Sequence, residues 1–221
     1  MEYRIDHRPS FSVLKVRLEP GEEISVEPGS YMLHRGEVEV KTRSGGILRG
    51  LARALAGGES FFLNTIVARS NAEVWIAPSV AGDIAAVELD NGSIVIQDGS
   101  YLAHVGDIEV STAWRGLRGL LAEGELVWTR AQGSGVVFIN SYGAMEEISL
   151  GPRERITIDN MHFVALDESV RWSVRKWGGL KTLVFGGEGL VLEAEGPGRV
   201  WVQTRNLPFF AKVIRRFLPS S

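Results

Sequence analysis

The sequence contains no cysteine among its 221 residues, so neither a disulfide nor a thiolate metal site can contribute to the fold. No uninterrupted apolar stretch reaches the roughly 18 residues that a membrane-spanning helix needs. Residues 1–9 lack the apolar centre of a secretory signal peptide. We therefore expect a cytoplasmic protein, and peripheral contact with a membrane surface stays compatible with this expectation.

The chain also lacks a large excess of charge of one sign. Its formal net charge of -3 argues against a general nucleic-acid binder, although a local basic patch is compatible with it. Proline is scarce, with 8 residues, whereas glycine is abundant, with 26. Many glycines between short apolar runs are typical of the tight turns in β-sandwiches and barrels. A chain of this length can bury a sizeable core without disulfides.

Motifs that carry common catalytic chemistry are absent as well. The sequence has no Gly-x-Ser-x-Gly, no phosphate loop and no His-Glu-x-x-His. The glycine-rich run 186–189 leads into a strand pattern and is not followed by Lys-Ser/Thr, so it does not predict a phosphate cradle. No two carboxylates are marked by their spacing as a general acid and base. We expect no catalytic residues and no cofactor.

Two of the four histidines, His34 and His104, are weak candidates for a metal site because they occupy matching positions in two similar segments. The third matching position is Leu166, so three histidines cannot converge there. A site with two histidines would need carboxylate ligands such as Glu37 and Asp107. A surface residue shared by two copies of one segment explains the pair more simply, and we predict no metal site.

What the sequence does contain is an internal repeat. Three segments open alike, with two alternating apolar β-branched residues, a turn and an aromatic residue, at 23–31, 93–101 and 155–163. Each segment closes on a strand-like triplet centred on Trp75, Phe138 or Trp201, which are equally spaced along the chain. A repeat unit typically buries its apolar face only against its neighbours. We therefore predict three tandem copies around a pseudo-threefold axis, with these aromatic residues in equivalent environments.

The repeat has the period of strands. Apolar residues alternate with polar ones, as in Ile24 and Val26, and β-branched side chains suit such a pleated surface. Gly29 and Gly99 stand where the turns need a positive φ, and Asn160 is expected to replace them in the third copy. The prediction is an all-β chain that forms one compact body over 1–221, with repeats at about 10–82, 83–147 and 148–206.

A glycine-rich, basic and aliphatic segment recurs at the same place in each copy, at 45–57, 114–121 and 177–186. Two interpretations compete for these segments. In the favoured one they cover a sheet edge or pack between subunits. In the other they form a basic apolar rim that touches lipid or another macromolecule. The basic residues of this predicted interaction surface are Arg49, Arg53, Arg115, Arg118 and Lys181.

Residues 207–221 predict a different element, a short amphipathic helix. From Phe209 to Leu218 the large apolar side chains occupy one half of the helical wheel, and Lys212, Arg215 and Arg216 occupy the other. A helix of this length is marginal by itself, so it needs its own core, a neighbouring subunit or an anionic membrane. We expect its apolar face to be buried on protein, with the basic residues outward as part of the interaction surface.

Two runs of the sequence resemble a known family. Residues 45–62, which begin Gly-Gly and end Gly-Glu-Ser-Phe-Phe, are similar to one of its motifs, and residues 185–205 are similar to the other. The family is called TRAP-like, after the tryptophan RNA-binding attenuator protein, and occurs widely in bacteria and archaea. Its eukaryotic relatives are mitochondrial biogenesis proteins of the AIM type, associated with the inner membrane. The resemblance extends over about residues 10–206.

The resemblance implies a jelly-roll-like β-sandwich of the double-stranded β-helix type, in three pseudo-symmetric repeats, assembled as a homo-oligomer and most simply a trimer. It implies no catalytic residues, and similarity of fold does not transfer tryptophan or RNA binding. We therefore predict a non-catalytic oligomeric scaffold or adaptor that associates with copies of itself and with a membrane surface or protein partner. A small-molecule or nucleic-acid binding module is the alternative, and an enzyme on this fold is a third.

Overall fold

The computed structural model describes residues 1–44, 62–97, 99–115, 127–177 and 190–218, with the side chains of 42–44, 62, 114, 115 and 127 left aside. The described residues are mostly strand, which confirms the predicted all-β class with a short C-terminal helix. The strands are β1 (Glu2–Asp6), β2 (Val13–Leu18), β3 (Glu23–Val26), β4 (Tyr31–Arg35), β5 (Val38–Ser44), β6 (Phe62–Ala68), β7 (Ala72–Ile76), β8 (Ile84–Ile96), β9 (Tyr101–Arg115), β10 (Val127–Asn140), β11 (Met145–Leu150), β12 (Arg155–Asp159), β13 (Phe163–Asp167), β14 (Arg171–Lys176), β15 (Leu190–Glu195) and β16 (Gly198–Gln203). A 3-10 helix spans Asn160–His162, and helix α1 spans Leu207–Arg215.

These strands form three antiparallel sheets within the described residues. A four-stranded sheet has the order β1-β2-β7-β4, and a three-stranded sheet has the order β12-β15-β14. Between them lies a nine-stranded sheet with the order β11-β16-β13-β8-β10-β9-β3-β6-β5. The long strands β8, β10 and β9 lie side by side in the middle of that sheet. The pairing of β8 with β10 shifts its register between Gly133 and Gly135.

The apolar side chains that alternate along the strands gather into three buried clusters. The first joins residues of β2, β3, β6 and β7 to Phe138 of β10. The second joins residues of β8 and β10 to Trp201 of β16, and the third joins residues of β11, β12 and β15 to Trp128 and Phe163. Burial of these strand faces is the main favourable contribution to folding, at about 25 cal/mol per Å² of apolar surface.

The turns before β4, β9 and β13 are only partly as predicted. Gly29 and Gly99 have positive φ angles of 89° and 76°, which confirms the expectation for the first two turns. Asn160 is not among the residues with positive φ, so the prediction of a left-handed residue there was wrong. It begins the 3-10 helix instead, and the Asp159 side chain caps that helix by accepting a bond from the Met161 amide at 2.8 Å.

The three repeat-closing aromatic residues do not have equivalent surroundings. Phe138 and Trp201 are fully buried in the first and second clusters. Trp75 is only half-buried, and the Lys15 ammonium lies 3.6 Å from its ring centroid. The expectation of equal environments was therefore wrong, because Trp75 belongs to none of the three buried clusters of the described residues.

A buried carboxylate fixes the link between β7 and β8. Asp83 accepts bonds from Arg8 Nε at 2.8 Å, from Ser12 Oγ at 2.9 Å and from the Ile84 amide at 2.8 Å. Burial works against ionisation of Asp83, but these three donors outweigh it and hold the pKa of the carboxyl below its ordinary value. The N-terminal segment is thus tied to the start of β8.

Gly82, next to this carboxylate, lets three chain segments approach closely. It forms a parallel bridge with Gly143, and its carbonyl accepts a bond from the Ser12 amide at 3.0 Å. A Cβ atom on Gly82 would lie 1.7 Å from the Ser141 carbonyl oxygen, so a side chain there requires the backbone to move apart. This contact makes Gly82 a sensitive position for the connection between the strands.

We predict that Gly82→Ala lowers the free energy of unfolding by at least about 2 kcal/mol, because overpacking against backbone cannot be relieved by rotating a side chain. Gly92→Ala is the matched control, since the nearest atom to its added Cβ is 3.9 Å away. It should change stability by less than about 1 kcal/mol. Urea denaturation of both variants checks this, and equal midpoints for the two would contradict the close approach at Gly82.

Candidate functional site

Helix α1 begins with a well-formed cap. The Asn206 side chain accepts a bond from the Phe209 amide at 2.9 Å, which satisfies one of the free amides of the first turn. A proline in the first turn costs no hydrogen bond there. The helix ends at Arg215, and 3-10-type bonds from residues 216–218 tighten its last turn. The predicted helix is therefore present, but it starts earlier and ends sooner than Phe209–Leu218.

The apolar face of the helix is exposed. None of its residues is buried, and Phe209, Phe217 and Leu218 are 65%, 79% and 61% exposed. The described part of the chain's own core does not cover this face, and the predicted burial against a neighbouring subunit stays a prediction. The helix follows β16, and its Phe210 ring contacts Tyr142, with 5.8 Å between centroids.

Basic side chains occupy the opposite face of the same helix. Lys212 and Arg215 lie in its last turn, Arg216 follows as the C-terminal cap, and all three are exposed. Cations near a helix C-terminus are favoured by the helix dipole. Neither Arg215 nor Arg216 forms an ion pair with a residue that the structure describes. The arrangement combines an uncovered apolar stripe with a cationic stripe about half a turn of the wheel away.

The other predicted basic residues have no described side chain. Arg49, Arg53, Arg118 and Lys181 lie outside the described residues, and Arg115 ends β9 with only its backbone described. Whether they join α1 in one surface therefore stays a prediction. Among the described residues, no helix is long and apolar enough to cross a membrane.

The weak metal candidates lie in different sheets. His34 is on β4 of the four-stranded sheet, and His104 is on β9 of the nine-stranded sheet. Each ring accepts or donates a 2.7 Å bond at Nδ1 with the hydroxyl of the tyrosine three residues before it, Tyr31 or Tyr101. Over the described part of the chain, no three His, Cys, Asp or Glu side chains come together as metal ligands.

The two histidines differ in burial although their local bonds are alike. His34 is exposed, whereas His104 is 7% exposed beneath the junction of β9 with β3. Burial lowers the pKa of His104 from 6.5 to about 4, because the charged imidazolium would lose its hydration. Burial likewise raises the pKa of Tyr101. Sequence alone could not separate the two histidines, since their local sequences match.

Two open grooves lie on sheet surfaces. One, of about 440 Å³, is lined by residues of β1, β2, β4 and β7, and there Arg17 forms ion pairs with Glu2 and Glu73. The other, of about 380 Å³, lies on the three-stranded sheet, where Arg155 and Arg171 both pair with Glu195. These charged groups are engaged with one another, so neither groove presents a set of groups converging on a ligand.

Comparison with known proteins gives consistent results. The family model described as mitochondrial biogenesis AIM24 matches residues 3–205. An uncharacterised protein of Streptococcus pyogenes serotype M6 is 27% identical over 230 residues, a match that covers 100% of this chain and 92% of that protein. A crystal structure of a Streptococcus pyogenes protein is similar with a TM-score of 0.84 and 28% sequence identity, covering 98% of this chain and 99% of that chain.

We predict that burial of His104 makes the folded chain lose stability in mild acid. Between pH 6.5 and about 4 the unfolded chain takes up a proton on this ring and the folded chain does not, so stability falls as the pH drops through that window. The full effect is of the order of 3 kcal/mol. His104→Gln should flatten the dependence of unfolding free energy on pH, measured by urea denaturation. His34→Gln, compared in the monomeric chain where His34 is exposed, is the control for loss of a histidine, and equal slopes in all three proteins would contradict the assignment.

Proposed function

This chain is a member of the mitochondrial biogenesis AIM24 family, and from that premise we propose that it is a non-catalytic, self-assembling scaffold that binds the surface of an anionic membrane through α1. The observation that carries the proposal is the exposed amphipathic helix, with Phe217 and Leu218 on one face and Arg215 and Arg216 toward the other. Its location would be cytoplasmic, at a membrane periphery.

An anionic bilayer offers what both faces of the helix need. The apolar face can enter the boundary between headgroups and acyl chains, while the basic residues stay among the phosphates. Each Lys or Arg near an anionic surface adds about 1 kcal/mol of attraction. The whole chain has a formal net charge of -3, so the cations of α1 are a local concentration and not a reflection of the composition. A membrane surface fits this helix better than an acidic protein groove of fixed shape, because most of its apolar side chains project freely.

We also propose that the body of the chain is three tandem units of a jelly-roll-like, TRAP-like sandwich, at about 10–82, 83–147 and 148–206. The support is a recurring register of strands around one aromatic residue. In the first unit Trp75 lies between Lys15 of β2 and Leu33 of β4. Phe138 and Trp201 lie between the corresponding pairs, which are Ala86 and Ala103 in the second unit and Glu147 and Ala165 in the third.

Self-association is part of the proposed function, with a trimer as the simplest closed assembly. A scaffold that presents several copies of α1 on one face would gain affinity for a membrane by multivalency, without requiring any single helix to bind tightly. Closed point-group symmetry is the usual outcome for soluble homo-oligomers. The proposal includes no cofactor and no nucleic acid.

We predict that the protein sediments with vesicles of phosphatidylcholine and phosphatidylserine at low salt and does not sediment with phosphatidylcholine alone. Phe217→Ser should weaken binding roughly 10- to 100-fold, because burying a phenylalanine side chain is worth about 1.5–3 kcal/mol. The double variant Arg215→Glu, Arg216→Glu should abolish binding by reversing the charge beside the headgroups. A chain ending at Asn206 should lose binding entirely.

Phe11→Ser is the matched control for this experiment. Phe11 is 72% exposed and Phe217 is 79% exposed, so both variants remove an equally accessible phenylalanine, but Phe11 lies far from α1 in sequence. The control should bind vesicles like the unaltered protein. If the unaltered protein ignores anionic vesicles, or if Phe11→Ser and Phe217→Ser are equally impaired, the membrane proposal is wrong. In that case a neighbouring subunit becomes the remaining cover for the helix.

A further inference from the structure

Two junctions inside the chain join successive units through shared sheets. At the first, β3 pairs with β9, with Ser25 opposite His104 and Val26 opposite Ala103. At the second, β8 pairs with β13, with Val95 opposite Leu166 and Ile96 opposite Ala165. In both, a strand that precedes a turn in one unit lies against the strand that follows the turn in the next unit.

At each junction, a β-bulge in one unit forms a hydrogen bond with the start of the turn in the other unit. The register of β9 shifts at Leu102, and that of β13 shifts at Val164. The Leu102 carbonyl accepts a bond from the Glu27 amide at 2.9 Å, and the Val164 carbonyl accepts one from the Gln97 amide at 2.8 Å. The bulge therefore points one carbonyl toward the preceding unit, and re-aiming groups in this way is a recognised use of such irregularities.

The same two kinds of edge lack a partner strand, among the described residues, in the first and third units. β4 of the first unit has the bulge at Met32 and the same register as β9 and β13, yet within the described residues it pairs with β7 alone. β12 of the third unit corresponds to β3 and to the second half of β8, yet there it pairs with β15 alone. Unpaired edges of this kind are templates for a further strand.

Burial follows the same pattern. In the second unit Tyr101 and Leu102 are 7% and 0% exposed, and in the third unit Phe163 and Val164 are both 0% exposed. The matching residues of the first unit, Tyr31 and Met32, are 44% and 52% exposed. Large aromatic or aliphatic residues therefore occupy this position in all three units. They are buried at both internal junctions and exposed in the first unit.

We propose that β12 of one copy of this chain pairs with β4 of a second copy, which forms between chains the junction that occurs twice within each chain. The proposal rests on the self-association in the proposed function and names its interface, but it does not depend on membrane binding. The register follows from the internal junctions: Thr157 lies opposite His34 and Ile158 lies opposite Leu33. The Asp159 amide then donates to the Met32 carbonyl.

Trp75, on the strand β7 next to β4, fits the same second copy of the chain. Phe138 of the second unit and Trp201 of the third unit each complete the core of the preceding unit. The third cluster receives no aromatic residue from a following unit among the described residues, and Trp75 of the next copy is placed to supply it. The shared sheet formed by β12 and β4 would carry Trp75 over that cluster.

Charges around Trp75 do not argue against its burial. Lys15, Arg35 and Glu73 surround it, but Trp201 is equally surrounded by charged residues at the matching positions, Glu147, Asp167 and Arg199. There Arg199 pairs with Asp167 at 2.9 Å and stacks 4.8 Å from the Trp201 ring centroid, and Trp201 is 1% exposed. A rim of paired charges around a buried tryptophan is therefore a construction that this chain already contains.

The contact is head-to-tail, because each copy offers β4 to one neighbour and β12 to the other. Such a heterologous contact closes into a ring when the rotation between copies permits it, and a trimer is the smallest ring beyond a dimer. An isologous contact at one edge would instead place β4 against β4 or β12 against β12. These two arrangements give different cross-links, which makes the interface testable in a chain that has no cysteine of its own.

The first experiment mixes two single variants, His34→Cys and Thr157→Cys, under mild oxidation. Both residues are exposed in the single chain, so neither change disturbs the core. Residues directly opposite each other in an antiparallel pair have Cα atoms about 4.5–5.5 Å apart, which a disulfide can bridge. We expect a cross-linked species in the mixture and at most a trace in either variant alone.

Ser173→Cys is the control for proximity by chance. Ser173 is exposed on β14, at the opposite edge of the same three-stranded sheet as Thr157. Mixed with His34→Cys it should give no more cross-link than background. If His34→Cys cross-links with itself as readily as with Thr157→Cys, or if Ser173→Cys cross-links equally well, the head-to-tail pairing is wrong.

The second experiment compares Met32→Lys with Val40→Lys by light scattering after size exclusion. Met32 and Val40 are 52% and 57% exposed on edge strands β4 and β5, so both variants should fold like the unaltered chain. Met32→Lys should shift the assembly to a monomer of 24.2 kDa, because it places a charge against the incoming turn. Val40→Lys should leave the assembly unchanged.

The outcomes separate this interface from the wider proposal. An assembly that survives Met32→Lys, with no His34→Cys to Thr157→Cys cross-link, overturns the edge pairing and leaves self-association through another surface. An unaltered chain that is monomeric at about 100 µM overturns both the pairing and the self-association. A cross-link that forms in a protein without vesicle binding upholds the interface and overturns only the membrane role of α1.

Discussion

Backbone hydrogen bonding at strand edges is the constraint on which the rest of this structure depends. Each strand must place its N–H and C=O groups against another strand or in water. Inside the chain, the pairs β3 with β9 and β8 with β13 meet this requirement within the nine-stranded sheet. The same sheet also brings Phe138 into the first buried cluster and Trp201 into the second, so backbone pairing decides which side chains can be buried.

Helix α1 lies outside these sheets. It follows β16, contacts the body through Phe210 and Tyr142, and leaves its other large apolar side chains uncovered. The exposed surface of α1 is amphipathic and basic. The edges of β4 and β12 instead offer backbone N–H and C=O groups that have no partner strand among the described residues. We therefore propose different partners for them, a membrane surface for α1 and a second copy of the chain for the edges.

The strands were predictable from sequence because alternation of apolar residues and the turn glycines act locally. Burial was less predictable, because it depends on which sheet covers a strand. Tyr31 with His34 and Tyr101 with His104 make the same 2.7 Å bond, yet one pair is exposed and the other buried. The wheel of α1 correctly predicted an amphipathic helix, but the periodicity of one segment contains no information about its partner. Five of the eight predicted basic residues, Arg49, Arg53, Arg115, Arg118 and Lys181, have no described side chain.

Amide hydrogen exchange along β4 tests the central claim most directly, with β9 in the same molecule as the reference. The account predicts that, at concentrations where the protein is assembled, the amides of residues 31–35 are protected to the same degree as those of 101–105. Dilution to the monomer should remove protection from 31–35 and leave 101–105 slow. If residues 31–35 exchange rapidly at every concentration while the protein is assembled, then copies of this chain do not pair through this edge.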